Sequence, residues 1–166
     1  MPTTFRPAEL LDHASTRRLV DDAFRPEDVV TFLDALRADG CILGEWVAED
    51  EGEAIGHIVF SRVWVELPDG VLRNAAMLTP LAVKPGRQRQ GVGIGLMNHS
   101  LAALEARGEQ LFFVLGHPTY YPRAGFQSAP AEMVVSPWQG QAAFMARGAS
   151  VPPGRLVLPR VIAEAH

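Results

Sequence analysis

The chain has 166 residues, 48% of them hydrophobic and 20% charged, which suits one soluble globular domain with a sizeable core. Its net charge of −4 argues against a general nucleic-acid binder, which needs a basic face, and leaves room for a cationic substrate. The single cysteine, Cys41, excludes an internal disulfide and suits a reducing compartment. No apolar run reaches membrane-spanning length and Met1 to Leu10 carries no signal-peptide pattern, so a cytoplasmic protein without membrane contacts is expected.

In chain order, Leu10, Leu11, Ala14, Leu19, Val20 and Ala23 predict a first helix, with Asp12 and Ser15 as capping residues. Glu27 to Ala38 predicts a second, with Val30, Leu33 and Leu36 on one face, Pro26 at its start and Asp39-Gly40 at its end. Ile42 to Glu49 and Ala54 to Val65 predict strands around a turn at Glu51-Gly52. Pro68-Asp69-Gly70 signals another turn, and Val71 to Val83 another strand. Pro80 cannot donate to a ladder, so that strand is expected to bulge or break near Thr79-Pro80.

The strand runs into Lys84-Pro85-Gly86-Arg87-Gln88-Arg89-Gln90-Gly91-Val92-Gly93, and Ile94, Met97, Leu101 and Leu104 then predict a helix that ends near Arg107-Gly108. A strand, a glycine-bearing turn and a helix present backbone N–H groups and a positive dipole end to an anion. Glycines at 91 and 93 remove the Cβ atoms that would hold a phosphate away, and Arg87 and Arg89 flank the turn as further cations. The simplest fitting polyanion is a cofactor pyrophosphate. Val92 after Gly91 excludes a Walker loop, and Leu96 stands where a dinucleotide fingerprint needs its third glycine.

Leu111 to Leu115 predicts a short, wholly apolar, buried strand, followed by Gly116-His117-Pro118-Thr119-Tyr120-Tyr121-Pro122-Arg123-Ala124-Gly125-Phe126. Beyond it, Gln139 to Ala146 predicts a helical run and Leu156 to Ile162 a last strand, at a sheet edge because it holds Pro159. Helices, then a mostly antiparallel meander, then one strand–helix–strand crossover place the chain in the α+β class with a mixed sheet. No His/Cys/Asp/Glu cluster shows metal-ligand spacing, so no metal is expected.

Two of these segments resemble the GNAT superfamily of acetyl-CoA-dependent N-acetyltransferases. Gln88-x-x-Gly91-x-Gly93 is similar to its acetyl-CoA signature, R/Q-x-x-G-x-G/A, and Tyr121-x-x-x-Gly125-Phe126 is similar to the segment that closes its cofactor site. Pro80-Leu81-Ala82-Val83 before the loop and Tyr120-Tyr121-Pro122-Arg123 after it resemble one branch of the superfamily. The resemblance covers about residues 5–128, the core of a single domain spanning 1–166 with 129–166 as an extension. It implies a mixed, mostly antiparallel twisted sheet flanked by helices, whose parallel fourth and fifth strands splay so that a pantetheine arm wedges between them.

The resemblance further implies acetyl transfer from acetyl-CoA, a co-substrate, to a small-molecule or peptide amine by direct attack in a ternary complex. A homodimer is compatible with it. It assigns Leu81, Ala82 and Val83 to backbone pairing with pantetheine and to the oxyanion donor. Gln88, Arg89, Gln90, Gly91, Val92 and Gly93 are assigned to the pyrophosphate. Tyr121 takes the position of a general acid toward the leaving thiolate, or it is a packing tyrosine that merely binds the sulfur. The glutamate common on the family's fourth strand is absent from Asn74 to Thr79. His117 reads either as the base in its place or as a strand-end residue capping carbonyls. His57 and His99 read as structural, and Tyr120 as core or substrate-facing. The missing carboxylate also admits a catalytically weak acyl-CoA-binding regulatory module. The amine is expected to enter over the first two helices and the segment after Phe126, where a closed apolar pocket would suit a small molecule and a broad acidic groove a peptide.

Overall fold

The computed structural model describes residues 3–165. A strand β1 (Thr4–Pro7) leads through a 3-10 turn (Leu10–Asp12) into helices α1 (His13–Phe24) and α2 (Val30–Asp39). A meander follows, β2 (Ile42–Asp50), β3 (Glu53–Glu66) and β4 (Leu72–Val83), then helix α3 (Val92–Ala106) and strand β5 (Phe112–Leu115). A 3-10 turn (Tyr121–Ala124) and α4 (Ser128–Ala131) precede β6 (Val134–Val135), β7 (Phe144–Arg147), β8 (Gly154–Val157) and α5 (Arg160–Glu164). The strands form one sheet ordered β1-β2-β3-β4-β5-β7, with β8 pairing both β3 and β6. Only β4–β5 and β6–β8 are parallel, so the sheet is mixed, mostly antiparallel and flanked by helices, as the sequence led us to expect.

Alternation along β3 builds the two sides of the core. Val59, Val63 and Val65 pack with Leu19 and Val20 of α1 and Leu33 and Leu36 of α2. Ile58 and Phe60 point the other way, onto Leu96, Met97, Leu101 and Leu104 of α3. A sheet buried on both faces needs near-continuous apolar strands, and this is why β3 and β5 were readable from sequence.

Several predicted elements change. The first four-residue strand was not foreseen, because its polar, proline-ended sequence acquires strand geometry only by pairing with β2. Leu10 and Leu11 do not join an apolar helix face; they lie exposed on the 3-10 turn. The second helix starts at Val30 rather than Glu27, where the Asp28 carboxylate accepts the Thr31 N–H (3.1 Å) and sets the first turn. The helical run expected over 139–146 is overturned: Phe144 to Arg147 is strand β7, paired antiparallel along β5. Phe144 and Ala146 bury on one side of the sheet and Met145 on the other, and this tertiary demand overrides local helix propensity. The last strand stops at Val157, and Pro159 caps the start of α5 instead of lying inside a strand. The expected irregularity near Pro80 is present: Phe60 pairs with Leu78 and Ile58 with Leu81, so Val59 alone faces both Thr79 and Pro80.

Candidate functional site

Between β4 and β5 the ladder is only two residues long, Ala76 opposite Phe112 and Met77 opposite Phe113. Past that point the strands part, β5 following β7 while β4 stays on β3. The opening is the mouth of a cavity of about 1180 Å³, lined by β4 from Met77 to Val83, by the start of α3, by Leu115 to His117 and by the tyrosine pair. The orientation of the β4 amides follows from the ladder. Lys84 N–H donates to Ile55 O on β3 (2.8 Å), and because an antiparallel strand alternates its donors, Leu81 and Val83 aim theirs into the opening. Ala82 N–H points to β3, so Ala82 borders the cavity without offering it a backbone donor. Gln88 Nε2 reaches Val83 O (3.4 Å) from the cavity side, consistent with this register.

The loop after β4 turns through Arg89 (φ +64°) and Gly91 (φ +82°), the left-handed region that glycine adopts freely. Arg87 N–H donates to Lys84 O and Gly95 N–H to Gly91 O. Among the described residues, the N–H groups of Gln88, Arg89 and Gly91 through Ile94 find no acceptor, while the turn at 88–89 closes through Gln90, so a set of free donors stands at the start of the 15-residue helix α3. Arg87 does not serve as a further cation here. Its guanidinium is held by Asp50 (2.7 Å) and by Gln90 Oε1 (3.1 Å), and Gln90 alone of the predicted cofactor residues does not line the cavity. A Cβ on Gly93 would lie 2.0 Å from the Tyr120 hydroxyl, so this glycine is needed for the close approach of that tyrosine.

Tyr120 and Tyr121 are packed edge to face with centroids 5.2 Å apart, and Phe126 packs edge to face on Tyr121. Burial pushes the Tyr121 hydroxyl up to about 12, with Tyr120 adding to the effect. Burial also raises that of Tyr120, while Arg123 opposes it. Both phenols therefore stay protonated, as donors, at neutral pH. Tyr120, which the sequence left as core or substrate-facing, sets its ring in the core cluster beneath α3 and its hydroxyl at the helix start.

His117 lies exposed at the cavity rim. Its carbonyl accepts the Tyr120 N–H (3.1 Å), but its imidazole caps no carbonyl among the described residues. His57 is fully buried, Nε2 lying 2.7 Å from Glu45 Oε1, and does not line the cavity; His99 packs against Phe5.

Four contributors went unread in the sequence. Thr79 is a cavity-lining hydroxyl at the bulge, bonded to buried Ser61 (2.8 Å); its position next to Pro80 was the available signal. Phe24 and Phe32 of α1 and α2, with Glu27 between them, wall the cavity opposite the glycine turn. The segment after Phe126 does not line it, since Phe126 is buried in the core. Among the described residues no group of three or more His, Cys, Asp or Glu could hold a metal ion, and no helix is long and apolar enough to cross a membrane.

The family described as acetyltransferase (GNAT) domain matches residues 4–129. The uncharacterized N-acetyltransferase YhbS of Escherichia coli K12 is 32% identical over 131 residues, 78% of this chain and 77% of that protein. YjhQ of the same organism, also an uncharacterized N-acetyltransferase, is 45% identical over 83 residues, 49% of this chain and only 44% of YjhQ. Among solved structures, a GNAT family acetyltransferase from Brucella melitensis in complex with acetyl-CoA is 28% identical, with a TM-score of 0.80 over 97% of this chain and 98% of that one. The structure of YhbS in complex with CoA aligns at a TM-score of 0.85 and 25% identity over 97% of this chain and 92% of that one.

Proposed function

The chain belongs to the GNAT acetyltransferase family, and on that premise we propose that it is an acyltransferase moving the acetyl group of acetyl-CoA to a primary amine by direct attack in a ternary complex. The observation that carries this reading is the convergence, in one cavity, of the unpaired amides at the start of α3, the open edge of β4 and the two protonated tyrosines. These parts fit coenzyme A. The amides of Gln88, Arg89, Gly91, Val92 and Gly93 suit its pyrophosphate. The Leu81 and Val83 amides offer strand-type hydrogen bonds to the pantetheine arm and a donor for the oxyanion, for which one such group contributes about 3 kcal/mol.

An ammonium near pKa 10 must lose a proton before its nitrogen can attack. His117, at the rim with its imidazole unengaged, takes that proton directly or through water, and Thr79 gives the incoming nitrogen a hydroxyl partner. As the new C–N bond forms and the C–S bond breaks, Tyr121 gives its proton to the sulfur and is reprotonated by the second proton that the attacking nitrogen sheds in becoming the amide. Its raised pKa keeps that proton in place until a thiolate develops beside it.

The test is thiol release with purified protein, acetyl-CoA and a mixed amine panel, alongside calorimetry with acetyl-CoA. Tyr121→Phe should lower kcat by about 100-fold with the acetyl-CoA Kd unchanged. Binding without amine-dependent thiol release would instead identify a regulatory acyl-CoA module, and no binding at all would remove the reading.

A further inference from the structure

The cavity is polarised along its length. The glycine-turn end carries Arg89 and Arg123, neither of which is in an ion pair among the described residues. At the other end Ala23, Phe24, Val29 and Phe32 pack in one apolar cluster with Met77 and Leu115 of the sheet. The one carboxylate among all the lining residues is Glu27, exposed at this apolar end. Its acidic neighbours are engaged, Asp21 with Arg25 (2.6 Å) and Asp28 with Thr31 (2.6 Å), whereas Glu27 makes no ion pair among the described residues.

We infer, resting on the acetyl-transfer reading, that the acceptor is a small primary amine carried on an aromatic or compact apolar body. Phe24, Phe32, Ala23, Val29 and Leu115 are only partly buried and gain by burying such a body, and the two phenylalanines offer edge and face contacts to a ring. The same walls work against the other amines served by transfer chemistry. A polyamine would have to desolvate its second and third charges against apolar side chains with one carboxylate, Glu27, to meet them both. A peptide would bring backbone N–H and C=O groups that these side chains cannot satisfy. Glu27 stands exposed at the apolar end, where a carboxylate draws a cation inward without gripping it.

Steady-state thiol release with 2-phenylethylamine, hexylamine, spermidine and a tripeptide with a free N-terminus tests the inference. kcat/KM for 2-phenylethylamine should exceed that for spermidine and for the tripeptide by about tenfold or more. Phe32→Ala should raise KM for 2-phenylethylamine by about tenfold, Phe32→Leu by less, both with the acetyl-CoA Kd of the unaltered protein as proof of folding. Glu27→Gln should lower kcat/KM by about threefold at low ionic strength and leave it unchanged at high salt. A preference for spermidine or the tripeptide overturns the inference while leaving acetyl transfer intact. A protein that binds acetyl-CoA but releases no thiol with any of these amines, or that does not bind it, removes the parent reading and this one with it.

Discussion

His57 and Glu45 make the stability of this protein depend on pH. Arg37 grips both oxygens of Glu45 (2.8 and 3.2 Å) and bonds Thr16 (2.9 Å), and His57 Nε2 meets the same Glu45 Oε1 that Arg37 Nη2 holds. Burial works to raise the Glu45 carboxyl, but hydrogen bonds from His57 and Arg37 outweigh it and hold the group at about 2. Burial pushes His57 below its ordinary 6.5, against the pull of Glu45. We take His57 as neutral, donating Nε2–H to Glu45, because its Nδ1 is buried without a partner and a second proton there would have no acceptor. The signs then agree. A histidine depressed in the folded state binds its proton first in the unfolded chain, so stability falls as pH drops below 6.5. Glu45 adds its own loss below its ordinary 4.5. Thermal unfolding should therefore shift to lower temperature between pH 7 and pH 5, and His57→Gln should flatten that slope. Glu45→Ala leaves the Arg37 charge buried and uncompensated, and urea unfolding should show a loss of about 3 kcal/mol. At the same scale, Gly93→Ala would drive a methyl group into the Tyr120 hydroxyl. The acetyl-CoA Kd should rise by about tenfold, and Tyr120→Phe in that background should restore part of it.

Among elements, the loop between β4 and α3 is held from β2. Asp50, at the end of β2, takes Arg87, and Arg87 takes Gln90, so the turn that presents the α3 amides is fixed before any anion arrives. Asp50→Asn separates this anchoring from direct phosphate binding by Arg87. Loss of the anchor should weaken acetyl-CoA binding in calorimetry; a freed Arg87 acting on phosphate would strengthen it. The glycine signature, the proline-linked bulge and the long apolar strands could be read in advance, because each follows from local backbone chemistry or from burial on both faces. β1 and β7 could not, since a four-residue segment takes its conformation from the partner it meets.

Across the whole molecule, α1 and α2 cover one face of the sheet and α3 the other, and the cavity forms where the sheet splits between them. β5 holds to β4 by two residue pairs and to β7 by four. The C-terminal segment is thus built into the sheet on both sides, β7 on β5 and β8 on β3. A chain ending at residue 143 should lose cooperative unfolding and acetyl-CoA binding together, as seen by circular dichroism and calorimetry, because β5 would be left as a barely paired edge. The sequence by itself determined the glycine-bearing turn, the tyrosine segment and the mixed sheet, since residues contiguous in the chain carry the backbone donors, the glycines and the apolar periodicity that produce them. Only the tertiary structure decided that Arg87 is spent on Asp50, that Ala82 turns its amide away, and that Phe24, Glu27 and Phe32 line the same cavity as the tyrosines. Those relations join residues far apart in the chain, and they exist only once the helices have packed and the two strands have parted.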